Sequence, residues 1–288
     1  MKGKTCIVTG ATSGIGRSTA IALARGGAEL GLVCRDPARA EATMRAIRDE
    51  TGSTAVEVFL GDLASQAAIR HVADAILARY PRIHLLVNNA GIVNLQRQTT
   101  EDGIESVFAV NHLAYFLLTH LLLERLRESA PSRVVNVGSD AHKFVKGINF
   151  DDIGFGEAYK SMRVYGHSKL ANLLFTFELA RRLDGSGVTA NCVHPGAVAT
   201  GLGKNNGTIA TLLIRTLAPF FRTPDKGAAT TLYVATSPAL ENVTGCYFAN
   251  RRETRSSAAS HDRDAAQRLW DLSANLTGLD QPGHGAHA

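Results

Sequence analysis

Thr5-Cys6-Ile7-Val8-Thr9-Gly10-Ala11-Thr12-Ser13-Gly14-Ile15-Gly16, at the start of the 288-residue chain, decides the fold. An apolar β-branched run ends in a turn with glycines at 10, 14 and 16, and a helical pattern follows over residues 14–25. A chain turning this sharply needs residues without a Cβ, and a helix N-terminus offers free N–H groups and a positive dipole end to a phosphate. The spacing differs from G-x-G-x-x-G, and taken alone the turn is also what an ordinary strand-to-helix connection looks like. Its place, directly after the first strand and opening a helix, makes it a dinucleotide cradle formed by Gly10, Thr12, Ser13, Gly14, Ile15 and Gly16.

Outward from this turn, short apolar runs alternate with longer amphipathic ones. Strands are expected at residues 5–9, 30–34, 56–60, 85–88, 134–137, 188–193 and 245–248. Helices are expected at 14–25, 37–50, 66–79, 101–128, 168–183 and 226–236. The strands are continuously apolar, as they are when helices cover both faces. The pattern predicts an α/β fold, a doubly wound parallel sheet of about seven strands with helices on both faces. No linker or repeat divides residues 1–280, which read as one domain, and residues 281–288 read as a disordered tail. A hydrophobic share of 45% and a charged share of 20% exclude disorder throughout. The net charge of +5 is scattered and lacks the basic block of a nucleic-acid arm, and Arg251-Arg252-Glu253-Thr254-Arg255 reads as a solvated loop. Cys6, Cys34, Cys192 and Cys246 are far apart, without a CxxC pair, and read as buried thiols rather than metal ligands. The chain opens almost directly on a strand and lacks an uninterrupted apolar stretch of about 20 residues, so neither a signal peptide nor a membrane anchor is expected, and a cytoplasmic location is.

The end of the second strand meets the adenosine ribose in folds of this kind. There the chain reads Val33-Cys34-Arg35-Asp36-Pro37, with Arg39 one turn on. Two guanidiniums suit a 2′-phosphate, which favours NADP(H), with NAD(H) kept as the alternative. Asp36 with Pro37 also makes a helix start. After the third strand, Gly61-Asp62-Leu63 offers a carboxylate that either accepts from the adenine amino group or caps a helix. After the fourth, Asn88-Asn89-Ala90-Gly91 lets the backbone approach a ligand and also makes a tight loop with side-chain bonds to neighbouring strands.

Tyr165-Gly166-His167-Ser168-Lys169 places a phenol and an ammonium four apart on one helical face. The ammonium is expected to draw the phenol pKa down toward neutrality, so that Tyr165 exchanges a proton with a substrate oxygen while hydride moves to or from a nicotinamide. Ser139, just past the fifth strand, can hold the same oxygen, and Asn111 lies mid-helix among apolar neighbours, where a buried amide demands partners.

Together these motifs resemble the short-chain dehydrogenase/reductase family, in family order over residues 4 to about 279: T-G-x-x-x-G-x-G, N-N-A-G, the strand-five serine, Y-x-x-x-K and Pro195-Gly196. The resemblance implies a Rossmann-type fold, with Tyr165 as acid/base. Lys169 lowers its pKa and holds the nicotinamide ribose, Ser139 orients the substrate oxygen, and Asn111 holds a water of a proton relay. It also implies cofactor contacts from Pro195, Gly196, Val198 and Thr200. The segments Cys34-Arg35-Asp36, residues 110–119, Phe150-Asp151-Asp152, residues 165–172 and residues 268–273 are similar to the retinol dehydrogenase-like branch, as is the long stretch between Ser139 and Tyr165. Members of that branch interconvert alcohols and carbonyls of retinoids, steroids and other lipophilic compounds with NADP(H). Gly138 departs from the serine usual there.

Residues 201–223 are apolar with few charges and read as a lid over a lipophilic substrate, with His142, Phe144, Tyr159 and Met162 on the opposite wall. Residues 114–126 and 170–183 are apolar nearly all round, which predicts covered faces and, from the resemblance, a homodimer or homotetramer. The competing readings are a catalytically silent dinucleotide-binding or sensing protein, an NAD-dependent dehydrogenase of a smaller substrate, and an epimerase or dehydratase acting on nucleotide sugars.

Overall fold

The computed structural model describes residues 1–157, 159–196 and 223–279. Four strand–helix units and a fifth strand open the chain: β1 (Thr5–Thr9), α1 (Gly14–Arg25), β2 (Glu29–Cys34), α2 (Pro37–Thr51), β3 (Val56–Leu60), α3 (Gln66–Arg79), β4 (Leu85–Asn88), α4 (Ser106–Phe108) running through a π turn (Ala109–Leu113) into α5 (Ala114–Glu128), and β5 (Ser132–Val137). There follow a 3-10 turn (Asp140–Phe144), α6 (Ser161–Arg182), β6 (Val188–His194), α7 (Pro224–Thr236), β7 (Tyr247–Ala249), β8 (Arg252–Glu253) and α8 (Arg263–Thr277). The strands form one sheet in the order β3-β2-β1-β4-β5-β6-β7-β8. Every pairing from β3 to β7 is parallel, and β8 closes the edge antiparallel to β7.

The order reverses at β1, where the chain leaves toward β2 on one side and β4 lies on the other. That crevice, at the carboxyl ends of the strands, is where open α/β sheets take their ligands. Successive residues of β1 serve opposite faces. Ile7 packs with Ile69, Val72, Phe116 and Leu118, while Cys6 and Val8 pack with Ala20, Leu23, Ile47 and Val234 on the other side.

The differences from the sequence reading are local. The sheet has eight strands, not about seven, because Asn250 and Arg251 adopt φ +52° and +60° and fold the edge back as a hairpin. A two-residue charged strand carries no apolar signal. β7 spans Tyr247–Ala249, since Gly245 turns at φ +70°. The helix expected from residue 101 begins at Ser106, because Glu105 caps it, accepting from the N–H of Val107 (2.9 Å) and Phe108 (2.8 Å). α6 starts a full turn before the Tyr165 pentad. The span Ser106–Glu128 is long and apolar enough to cross a membrane by composition, yet 83% of its most apolar window is buried in the core.

α8 packs across α5 and α6. Trp270 stands edge-on to Phe116 at 5.2 Å, and Leu269 is buried with Leu170 and Leu174. Part of the apolar surface of α6 is thus covered by this chain's own C-terminal helix, which also reaches Phe116 of α5.

Candidate active site

Gly10 adopts φ +66°, and a Cβ there would stand 2.8 Å from the Ala90 Cα. A Cβ on Gly16 would strike the Asn89 amide nitrogen and the Gly10 carbonyl oxygen. The glycines are needed because the turn after β1 lies directly on the loop after β4. Asn89 and Thr9 hold that contact. Asn89 Nδ2 donates to the carbonyls of Thr9 (2.8 Å) and Gly10 (3.3 Å), and Thr9 Oγ1 accepts from the N–H groups of Asn89 (2.9 Å) and Ala90 (3.0 Å). The tight-loop reading of residues 89–91 is therefore realised directly. Ser13 enters α1 without a side-chain cap bond, and the first turn of α1 has no acidic residue. A positive helix end, no carboxylate and a backbone surface that a Cβ would obstruct fit a dinucleotide pyrophosphate.

At the end of β2, Arg35 and Arg39 are exposed. Asp36 caps α2, accepting from the Arg39 N–H at 3.1 Å, so one carboxylate oxygen is already used within the protein. Arg39 lies close enough to Cys34 to oppose the effect of burial, which still pushes the thiol up to about 11. Asp62 is exposed and accepts from the Ala64 N–H (3.0 Å), while Ser65 caps α3. Leu63 is buried in the core beside Ile69. Pro195 is buried and Gly196 turns at φ +85°. Val198, Thr200 and almost all of the lid segment 201–223 lie outside the described residues, as does the tail 281–288.

The fold brings Asn111, Ser139, Tyr165 and Lys169 together. Lys169 Nζ donates to the Val137 carbonyl (2.9 Å) and lies 5.6 Å from the Tyr165 ring centroid. Ser139 Oγ, which accepts from the Ala141 N–H (3.1 Å), stands close enough to the Tyr165 phenol to oppose the effect of burial on it. A Cβ at Gly91 would sit 3.3 Å from Asn111 Oδ1 and 3.8 Å from Lys169 Nζ, so both the amide and the ammonium border that loop. Asn111 lies in the π turn, and its side chain is committed to the protein: Oδ1 accepts from the Ile92 N–H (2.7 Å), and Nδ2 donates to the Ile92 carbonyl and to Ser168 Oγ (both 3.0 Å).

The electrostatics depart from the expectation that Lys169 draws the phenol toward neutrality. Burial pushes Tyr165 up to about 12, opposed by Ser139, and the same burial brings Lys169 down to about 8. Desolvation is the largest cause for both groups. The phenol therefore holds its proton at neutral pH.

Of the expected substrate wall, Phe144 and Met162 are more than half exposed. Tyr159 is half-buried, with its hydroxyl donating to the Asn94 carbonyl (3.2 Å). His142 does not line a wall: it is fully buried, and both ring nitrogens are hydrogen-bonded within the protein. Gly138 also faces away from the pocket. A Cβ there would stand 2.5 Å from Cys192 Sγ.

Several supporting residues escaped the sequence reading. Tyr115 donates to the Ala90 carbonyl (2.8 Å) and turns its ring toward Lys169 Nζ at 5.8 Å. Beneath the site, Asn88 Nδ2 donates to Thr119 Oγ1 and Asn136 Oδ1, and Asn136 Nδ2 donates to Thr176 Oγ1, each at 2.9 Å. The signal for Asn136 was present as an amide in the run Val134-Val135-Asn136-Val137.

Comparison with known proteins agrees with this geometry. Residues 4–209 match the family model for short chain dehydrogenases. Retinol dehydrogenase 12 of Mus musculus is 45% identical over 277 residues, covering 96% of this chain and 87% of that protein. Retinol dehydrogenase 13 of Homo sapiens is 45% identical over 287 residues, covering 97% and 86%. Among solved structures, an uncharacterized protein from Mycobacterium paratuberculosis superposes with a TM-score of 0.77 at 35% identity, covering 96% of this chain and 94% of that one. A short chain dehydrogenase from Burkholderia cenocepacia in complex with NADP gives 0.67 at 27% identity, covering 86% and 96%. The chain belongs to the short-chain dehydrogenase/reductase family, in its retinol dehydrogenase-like branch, and is an oxidoreductase of the CH–OH/C=O couple.

Proposed function

We propose that the protein is an NADP(H)-dependent oxidoreductase that interconverts an alcohol and a carbonyl on a lipophilic substrate of retinoid, steroid or long-chain aldehyde type, working as a carbonyl reductase. The observation that carries this reading is the junction of Ser139, Tyr165 and Lys169 at the carboxyl ends of β5 and β4, beside the glycine turn.

Gly10, Thr12, Ser13, Gly14, Ile15 and Gly16 would hold the pyrophosphate of a dinucleotide, and Arg35 and Arg39 its 2′-phosphate, while Asp36 is turned to its helix cap. A bound nicotinamide dinucleotide supplies or accepts the hydride. Everything else falls to the side chains. Ser139 Oγ donates to the substrate oxygen and fixes its orientation. Tyr165, protonated because burial holds it near 12, gives its proton to that oxygen as negative charge develops there. Lys169, buried and anchored on the Val137 carbonyl, stabilises the phenolate that results. Proton donation is the reductive direction. The names of the mammalian relatives support a retinoid-like substrate, and the NADP complex of the Burkholderia enzyme supports the cofactor.

The test is cofactor consumption with all-trans-retinal, steroid ketones, aliphatic aldehydes and quinones, using NADPH and NADH in parallel. Turnover is expected with NADPH and a lipophilic carbonyl, and Tyr165→Phe should lower kcat by about 100-fold or more. Equal rates for wild type and Tyr165→Phe would refute the mechanism, and equal affinity for NADH would refute the cofactor assignment.

A further inference from the structure

Ser139 leaves β5 and immediately enters a 3-10 turn, a short segment with little regular hydrogen bonding of its own. Other parts of the molecule pin it. The Asp140 N–H donates to His194 Nδ1 (3.3 Å), the Tyr247 hydroxyl donates to Asp140 Oδ1 (3.0 Å), and Lys143 Nζ donates to the same oxygen (2.9 Å). These contacts hold residue 140. Residue 139 itself is held by His142. The Ser139 carbonyl accepts from the His142 N–H (3.1 Å) and lies 2.7 Å from His142 Nδ1. A carbonyl only accepts, so Nδ1 carries the proton. Nε2 is then the acceptor, and it takes the Ser257 N–H at 3.0 Å. One neutral tautomer satisfies both nitrogens, in a site where the ring is fully buried and edge-on to Tyr247 at 5.2 Å.

We propose that His142 is a positioning residue for catalysis: its Nδ1–H fixes the backbone of Ser139, and thereby the hydroxyl that orients the substrate oxygen, while Nε2 braces the ring against the segment after β8. The inference rests on the role of Ser139 given above. The ring bond acts beside the His142 N–H on the same carbonyl and the Ala141 N–H on Ser139 Oγ (3.1 Å), and it is the one of the three that a side-chain substitution removes; displacing an orienting group by about 1 Å costs on the order of 100-fold in rate.

Two near-isosteres separate the two nitrogens. In His142→Asn the amide Nδ2 stands at the place of Nδ1 and keeps a donor for Ser139, whereas in His142→Gln the amide Oε1 stands near Nε2 and keeps an acceptor for Ser257. With NADPH and a carbonyl substrate that wild type reduces, His142→Asn is expected to keep kcat within about threefold. His142→Gln and His142→Ala should lose about 10- to 100-fold in kcat, with NADPH Kd within about twofold of wild type. The reverse order, Gln active and Asn impaired, would reduce His142 to a clamp for residues 256–261 and overturn the proposal. Wild-type kcat in all three variants, or NADPH affinity falling in step with kcat, would overturn it too. Should His142→Ala fail to fold, the Asn and Gln pair decides alone. Tyr165→Phe is run beside them. If that variant stays active, the functional reading has failed; if it is inactive while the His142 variants are normal, only this inference has.

Discussion

At the scale of single residues, the glycine at 138 is explained by what lies behind it. A Cβ there would stand 2.5 Å from Cys192 Sγ and 3.2 Å from Leu173 Cδ1, and both of those side chains are fully buried. The Cys192 thiol occupies the space that a side chain at position 138 would need. Gly138→Ser should therefore destabilise by about 1–3 kcal/mol through overpacking. Gly138→Ser with Cys192→Ala should recover most of that loss beyond what the two single changes sum to. Urea unfolding of the four proteins measures it, and strict additivity would disprove the contact. Residues of this kind divide by how far their reason lies along the chain. Gly10 and Gly16 were legible because a sharp turn after a strand is a local demand. His142 was misread as pocket lining because its partner, Ser257, lies 115 positions away. The pKa of Tyr165 was misjudged because four-residue spacing reports a neighbouring charge and says nothing of burial.

At the scale of elements, β1, β2, β4, β5 and β6 were legible because nearly every residue of each is buried beneath helices on both faces, while β3, an edge strand with Glu57 and Leu60 exposed, was legible from Val56, Val58 and Phe59. Elements with no such signal were not. β8 is two exposed charged residues, and the π turn holding Asn111 keeps the apolar pattern of the helices on either side. α8 went unread as a helix although its capping is regular: Asp262 accepts from the Ala265 N–H (2.9 Å), and Gly278 ends it at φ +65°. Its contribution can be weighed. Trp270 meets Phe116 edge-on at 5.2 Å, lies 5.9 Å from Phe175 and carries the Arg182 guanidinium over its ring at 4.1 Å. Trp270→Ala should cost about 2–3 kcal/mol, below the range for a fully buried tryptophan because this ring is only partly covered. A loss under about 0.5 kcal/mol in urea unfolding, the size of an ordinary surface change, would show that α8 is an ornament rather than part of the core.

At the scale of the whole molecule, the joints between elements are made repeatedly with uncharged histidine. His84 Nδ1 accepts from the Thr5 N–H (3.0 Å), His112 Nε2 bonds Ser273 Oγ (2.8 Å) across to α8, and His167 Nε2 accepts from the Asn149 N–H (3.0 Å). His120 lies between Phe116 and Trp270. Burial lowers each of them: His112 to about 3, His120 and His167 to about 4, and His84 and His142 in the same direction. In the unfolded chain these rings titrate near 6.5. Between the folded and unfolded values the unfolded state binds more protons, so stability rises with pH there. The contribution is complete above about pH 7 and is lost progressively from about 6.5 down to about 4 for His120 and His167, and on toward 3 for His112. Each fully titrating ring supplies up to about 1.4 kcal/mol per pH unit in that window. Asp140 and Glu178, held below the usual carboxylate range, add a loss in the same direction at lower pH, while Glu105, pushed up by burial, opposes it. Protonation also adds to a net charge of +5 that is already positive. Unfolding free energies from urea titrations should therefore be level from pH 8 to 7 and fall steeply between 6.5 and 5. In His120→Phe, which keeps a ring between Phe116 and Trp270 and removes one proton site, the difference between pH 7.5 and 5.0 should shrink by about 1–2 kcal/mol. A flat profile in wild type, or an unchanged slope in His120→Phe, would mean that these histidines find their protons without the fold opening.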